Sequence, residues 1–146
     1  MIKKIFLLFF FITACGYQPL YLNKSEIKFN EIIVLGDKQV NRKIISSLAL
    51  KKDQSNTFKN EIIFDSKIEI KVTSKDSKGK PATFKTNLDV KVTIKENNKI
   101  VKEKIFTESF NYNNIENKYD LSSYQNDVEK NLINKLVENL MIFINL

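Results

Sequence analysis

The stretch KIEIKVTSKDSKGKPATFKTNLDVKVTIKENNKIVKEKIFTESFNY, residues 67–112, decides the fold. Its apolar side chains recur at every second position. Ile68, Ile70 and Val72 alternate with Lys67, Glu69, Lys71 and Thr73. After an interruption, Phe84, Leu88, Val90, Val92 and Ile94 alternate with Lys85, Asn87, Asp89, Lys91, Thr93 and Lys95. A β-strand turns successive side chains to opposite faces, so each run predicts a strand with one apolar and one polar face. Residues 74–81 (SKDSKGKP) contain Gly79 and Pro81 and read as a turn. Glu96-Asn97-Asn98-Lys99 reads as a tight turn, because asparagine tolerates left-handed backbone. A last strand over about 100–112 completes an antiparallel meander, whose apolar face other elements must cover.

Working outward, Ile27–Leu35 is rich in β-branched residues and ends at Gly36-Asp37, which predicts a first strand. Asp37 is placed to cap a helix over Lys38–Leu50, where Val40, Ile44, Ile45 and Leu48 make one stripe. Residues 51–60 read as a polar connector holding Phe58, and the two-residue period begins at Ile62. Beyond a polar loop at 113–118, Val128, Leu132, Leu136, Leu140 and Ile144 recur every four residues. That spacing predicts a second helix from near Leu121, capped by Ser122 or Ser123. The order β-α-β-β-β-α predicts an α+β two-layer sandwich: an approximately four-stranded mixed sheet with both helices on one face. If the strands flanking the first helix are parallel neighbours, their crossover is right-handed.

At 146 residues the chain suits one domain. It has no histidine and one cysteine, so no Ser-His-Asp or Cys-His nucleophile, histidine zinc site or intrachain disulfide can be built. We expect no enzyme, no metal and no cofactor. The formal charge is +7. All but one of the basic residues are lysine, and Arg42 is the exception. Arginine is the residue preferred for bidentate phosphate contacts, so the charge is a poor argument for nucleic acid, and no nucleic-acid partner is expected.

Lys3 and Lys4 precede an apolar run at Ile5–Ile12 and then Thr13, Ala14 and Cys15. This is the layout of a secretory signal, and the run is too short for a bilayer span of roughly 20 apolar residues. Ile12-Thr13-Ala14-Cys15 resembles the bacterial lipobox. The resemblance implies cleavage before Cys15, a diacylglyceryl thioether on its sulfur and an acylated amino terminus. Several acyl chains would give stable membrane attachment. In that pattern Gly16, rather than aspartate, implies sorting to the outer membrane, on its periplasmic side. The expected division is a signal peptide at 1–14, an acylated tether at 15–26 and a single α+β domain at 27–146.

The lipobox runs into Cys15-Gly16-Tyr17-Gln18-Pro19-Leu20-Tyr21. That start, the β-α-β-β-β-α order, the helix carrying Arg42 and the long closing helix after Tyr119–Tyr124 are together similar to the LPS-assembly lipoprotein LptE family. The resemblance implies a lipoprotein that sits in the lumen of the outer-membrane β-barrel LptD as plug and assembly aid. It also implies help in moving lipopolysaccharide to the outer leaflet, without covalent chemistry. The alternative is an unrelated periplasmic lipoprotein, a subunit of another envelope or transport complex. A free-standing lipid carrier would need an internal apolar cavity that helices packed on a sheet do not leave.

Two groups are candidate lipopolysaccharide contacts. Lys75, Lys78 and Lys80 cluster on the turn beside flexible Gly79, placed to meet phosphates as point charges. The bland alternative is a solvated hairpin in a lysine-rich protein. Lys67, Lys71, Lys85, Lys91 and Lys95 lie on the polar strand face, where Glu69 and Asp89 offer cross-strand ion pairs instead. Asp65 with Glu69 is a weak candidate carboxylate pair, because nothing marks a pocket around it.

Overall fold

The computed structural model describes residues 27–53 and 59–145. Its strands are β1 (Lys28–Phe29), β2 (Glu31–Gly36), β3 (Lys51–Lys52), β4 (Asn60–Lys75), β5 (Pro81–Glu96) and β6 (Lys99–Asn113). Its helices are α1 (Lys38–Ser47) and α2 (Lys118–Asn145). The main sheet has the order β2-β4-β5-β6. β2 and β4 are parallel and the other two pairings are antiparallel. This is the mixed four-stranded α+β architecture that the alternation and the two helical stripes predict.

Even-numbered side chains of β4 and β5 face the helices. Ile62, Phe64, Leu88, Val90 and Val92 form one buried cluster with Val40 and Ile44 of α1, Leu48 just after it, and Leu132, Leu136 and Leu140 of α2. Burying each such side chain stabilises by about 1.5–3 kcal/mol relative to leaving it in water. Polar contacts tie the layers as well. Lys135 on α2 meets Glu108 on β6 at 2.6 Å, and Lys43 on α1 meets Glu129 on α2 at 2.8 Å.

Asp37 caps α1 as expected, its Oδ1 accepting the N–H groups of Gln39 and Val40 at 2.9 and 3.0 Å. Asn97 and Asn98 both have positive φ, 48° and 64°, and turn β5 into β6 in two residues. Gly36 has φ 72°, and a Cβ there would stand 2.0 Å from the Ser66 carbonyl oxygen, so only glycine closes the β2–β4 pairing.

The structure corrects four boundaries. The first strand is broken at Asn30, whose backbone N–H and side-chain Oδ1 exchange hydrogen bonds with those of Asn60 at 2.9 and 2.8 Å. Lys51–Lys52 is not part of a polar connector. It pairs in parallel with Lys28–Phe29 as a second, two-stranded sheet, a tertiary pairing that two residues cannot advertise in sequence. α1 stops at Ser47, three residues early, because Ala49 is left-handed (φ 52°) and ends the helical path. α2 starts one turn before Leu121. Its cap is Asn117, whose Oδ1 accepts the Tyr119 N–H at 2.9 Å, and not Ser122 or Ser123. Phe58 and everything before Ile27, Cys15 included, lie outside the described residues.

Candidate functional site

The β4–β5 hairpin ends in a turn built on Asp76. Its Oδ1 accepts the backbone N–H groups of Lys78 and Lys80, both at 2.8 Å. Its own N–H donates to the Lys80 carbonyl at 2.8 Å, and the Gly79 N–H donates back to the Asp76 carbonyl at 3.0 Å. Gly79 has φ 79° with open space around it. The one carboxylate of the turn is therefore spent on the backbone. Lys75, Lys78 and Lys80 are all exposed, with no carboxylate in ion-pair contact among the described residues.

The polar sheet face divides into two parts. Glu69 lies between Lys67 at 3.6 Å and Lys71 at 3.1 Å. The hydrogen bond from Lys71, with the charge of Lys67, holds its carboxyl below the usual carboxylate range against a smaller opposing effect of desolvation. Lys91 meets Glu103 at 3.2 Å, and Thr93 donates to the same carboxylate at 3.1 Å. Both bonds lower the Glu103 pKa, Lys91 more. Asp89 accepts from Thr107 at 2.7 Å. Lys91 is thus paired across strands, whereas Lys67 and Lys71 pair with Glu69 along their own strand, so Glu69 and Asp89 are not the cross-strand partners expected for the lysines of that face. Asp65 and Glu69 are not brought together as a carboxylate pair, since Glu69 is bound between two lysines.

Register produces one arrangement that spacing alone does not reveal. Lys71 of β4 stands directly opposite Lys85 of β5. Like charges facing across a strand pair repel. Glu69 relieves Lys71, while Lys85 has no ion-pair partner among the described residues. Lys71, Lys85, Lys75, Lys78 and Lys80 therefore crowd the distal third of the hairpin. Lys95, at the other end, lies opposite Glu61. The distal group presents ammonium point charges to phosphate or carboxylate oxygens.

Sequence reasoning missed a second cationic feature. A groove of about 580 Å³ between α1 and α2 is lined by Arg42, Lys43, Lys130 and Asp127 with serine and asparagine side chains. Arg42 with Ser46, and Asn126 with Lys130 and Asn134, are legible as polar helical rows. That the two rows face each other is set by helix packing. Lys43 there is already paired with Glu129.

No family model matches the chain, and no curated protein sequence does. Solved structures do. The chain is similar to the rare lipoprotein B of Shewanella oneidensis, with TM-score 0.54 and 12% identity over 79% of this chain and 96% of that one. It is similar to a minor lipoprotein of Acinetobacter baumannii, with TM-score 0.59 and 8% identity over 81% and 92%. An uncharacterized lipoprotein B of Nitrosomonas europaea gives TM-score 0.53 and 14% identity over 86% and 88%. At these identities the likeness establishes a shared fold.

Proposed function

We propose that this protein is a lipid-anchored envelope protein of the LptE type. In this reading it is attached through Cys15 to the periplasmic side of the outer membrane, sits in the LptD β-barrel and presents its hairpin lysines to lipopolysaccharide. The observation that carries the reading is polarity along the sheet. Ile27, where the acylated segment would join the domain, lies at one end: its carbonyl accepts the Lys51 N–H at 3.0 Å, and nearby Asn30 is bonded to Asn60. The lysine turn lies at the other end of the 16-residue β4. A strand of that length spans about 50 Å. The hydrocarbon core of a bilayer is about 30 Å thick. A domain tethered at its base and enclosed by a barrel would carry its distal lysines to the level of phosphate-bearing headgroups in the far leaflet. The shared fold with three lipoproteins supports the same reading.

Two experiments test it. The acylated chain, pulled down from outer membranes, is expected to bring a large β-barrel with it, and recovery of inner-membrane or soluble partners instead would favour a subunit of another envelope complex. Replacing Lys75, Lys78 and Lys80 together by serine is expected to weaken lipopolysaccharide binding by about tenfold or more. Unchanged binding removes the turn from the site.

A further inference from the structure

The end of the sheet that the acylated segment would join has a surface chemistry of its own. Hydrogen bonds fix what lies there. The Ile27 carbonyl accepts the Lys51 N–H at 3.0 Å, the Asn60 carbonyl accepts the Asn30 N–H at 2.9 Å, and the Lys59 carbonyl accepts the Asn97 N–H at 2.8 Å. The short strands β1 and β3, the start of β4 and the Asn97-Asn98 turn therefore share one end, opposite the Asp76 turn. The last turn of α2 reaches the same end, where the Phe143 carbonyl accepts from Lys102 Nζ at 3.5 Å.

Lysines gather at this base. Lys28, Lys51, Lys52, Lys59, Lys95 and Lys99 stand against Asp53, Glu61 and Glu96. Lys28 is held by Asp53 at 3.3 Å and Lys59 by Glu61 at 3.4 Å. Lys52, Lys95 and Lys99 have no carboxylate in ion-pair contact among the described residues, although Glu96 stands opposite Lys99 in the register. Exposed apolar side chains interrupt the cationic rim. The register shift after Ile94 leaves Val101 without a partner on β5. Ile100 and Val101 thus follow one another beside the turn, 59% and 47% exposed, and Ile142 on the last turn of α2 is exposed as well. Apolar side chains rimmed by lysine suit the headgroup region of a bilayer. The apolar groups leave water there, and the ammonium groups meet lipid phosphates.

We propose that this base is a membrane-docking surface whose occupant is the anionic phospholipid leaflet that holds the acyl chains. Ile100 and Val101 enter the headgroup layer, and Lys52, Lys95 and Lys99 meet its phosphates. Docking rests on the lipoprotein reading at one point, the acylation of Cys15. Ile27 follows Cys15 by twelve positions, a reach of at most about 40 Å when fully extended. A tether of that length holds the base beside the leaflet at high effective concentration, so contacts too weak to bind a free protein suffice. Each lysine near an anionic leaflet adds to the attraction, and the attraction fades within a Debye length, about 10 Å at 0.1 M salt. The tip also carries lysines, but the 16-residue β4 holds it about 50 Å from the base. A single copy enclosed by a barrel keeps the same contact. Its acyl chains lie in lipid outside the wall, so the connecting chain crosses the rim and the base sits at that rim, beside the headgroups. Docking there sets the domain upright, with the Asp76 turn directed away from the anchoring leaflet.

The chain has no tryptophan, so one introduced indole is the sole reporter of depth. The acylated protein carrying Ile100→Trp is reconstituted on vesicles of phosphatidylcholine and phosphatidylglycerol with brominated acyl chains. Its indole emission is expected to be quenched and shifted to the blue. Val72→Trp, at the far end of the hairpin, is expected to stay unquenched. Quenching at residue 100 is expected to fall about twofold or more on phosphatidylcholine alone, and by a similar factor when Lys52, Lys95 and Lys99 are together replaced by glutamine. Residues 72 and 100 are both exposed, and circular dichroism checks that the fold is kept. Val101→Trp is a second reporter of the base should Ile100→Trp disturb the turn. Flotation with the vesicles is read first. A chain that does not float overturns the anchored reading and docking with it. A chain that floats with residues 100 and 101 unquenched, with residue 72 quenched as strongly, or with quenching indifferent to headgroup charge overturns docking alone.

Discussion

The two ends of the β4–β5 hairpin have the same alternation and opposite fates. At the base, Ile62 and Phe64 on the helix-facing side are wholly buried. At the tip, Ile70 and Val72, on the same side of the same strand, are 46% and 44% exposed. The difference lies in what reaches them. β2 pairs with β4 from Glu61 to Ser66 and then leaves at Gly36, and the ten-residue α1 covers that half only. A two-residue period fixes which way a side chain points. It does not fix whether another layer extends far enough to cover it. The base is held by packing, and the tip by hairpin hydrogen bonds, ion pairs and the long α2 alongside.

The sharpest break of this comparison is Phe64→Ala against Val72→Ala. The first is expected to cost about 3–5 kcal/mol by leaving a cavity in the core, and the second under about 1 kcal/mol, measured by urea denaturation. Equal costs would mean that the tip is packed as tightly as the base. Next is Gly36→Ala, at the point where β2 departs. A side chain at that positive φ meets the Ser66 carbonyl, and a loss of about 2–3 kcal/mol is expected in the same measurement. Asp37→Ala removes the cap of α1 and is expected to lower stability by about 1 kcal/mol, with unchanged helix content by circular dichroism.

The smallest effect belongs to the tip. The Glu69 carboxyl is held below the usual range by Lys71 and Lys67, so its contribution is present above that range and is lost as pH falls through the folded-state value. Glu69→Gln is expected to lower the urea midpoint slightly at neutral pH. The gap from the unsubstituted chain should close under acid, where both side chains are neutral. A gap that persists in acid would assign the role to shape rather than charge. The magnitude is small, because exposed pairs are screened by water and salt.

The candidate site was legible in the same uneven way. The turn lysines and Gly79 stand within six residues, so their clustering could be read directly from the chain. Lys67, Glu69 and Lys71 sit two apart on one strand, and their ion pairs follow from the period. The Lys91–Glu103 pair and the Lys71–Lys85 confrontation join residues on different strands. The first exists only in the β5–β6 register that the Asn97-Asn98 turn and the bulge at Val101 produce, and the second only in the β4–β5 register beside the Asp76 turn and the irregularity between Val72 and Lys75. The groove at Arg42 needed two helices to meet. The parallel pairing of Lys28–Phe29 with Lys51–Lys52 needed a return of the chain that two-residue strands cannot signal, and the cap at Asn117 was obscured by two serines closer to the apolar stripe.

Local chemistry along the chain was enough to set the element types, the inward and outward sides of each strand, the cap at Asp37, the asparagine turn and the absence of histidine chemistry. Those features depend on backbone sterics and on periods of two and 3.6, which act between near neighbours in sequence. Packing alone decided which half of the apolar face is covered, which lysines are neutralised and which sheet edge stays open. Those outcomes depend on where finite elements stop against one another in space, and no local period encodes the end of a distant helix.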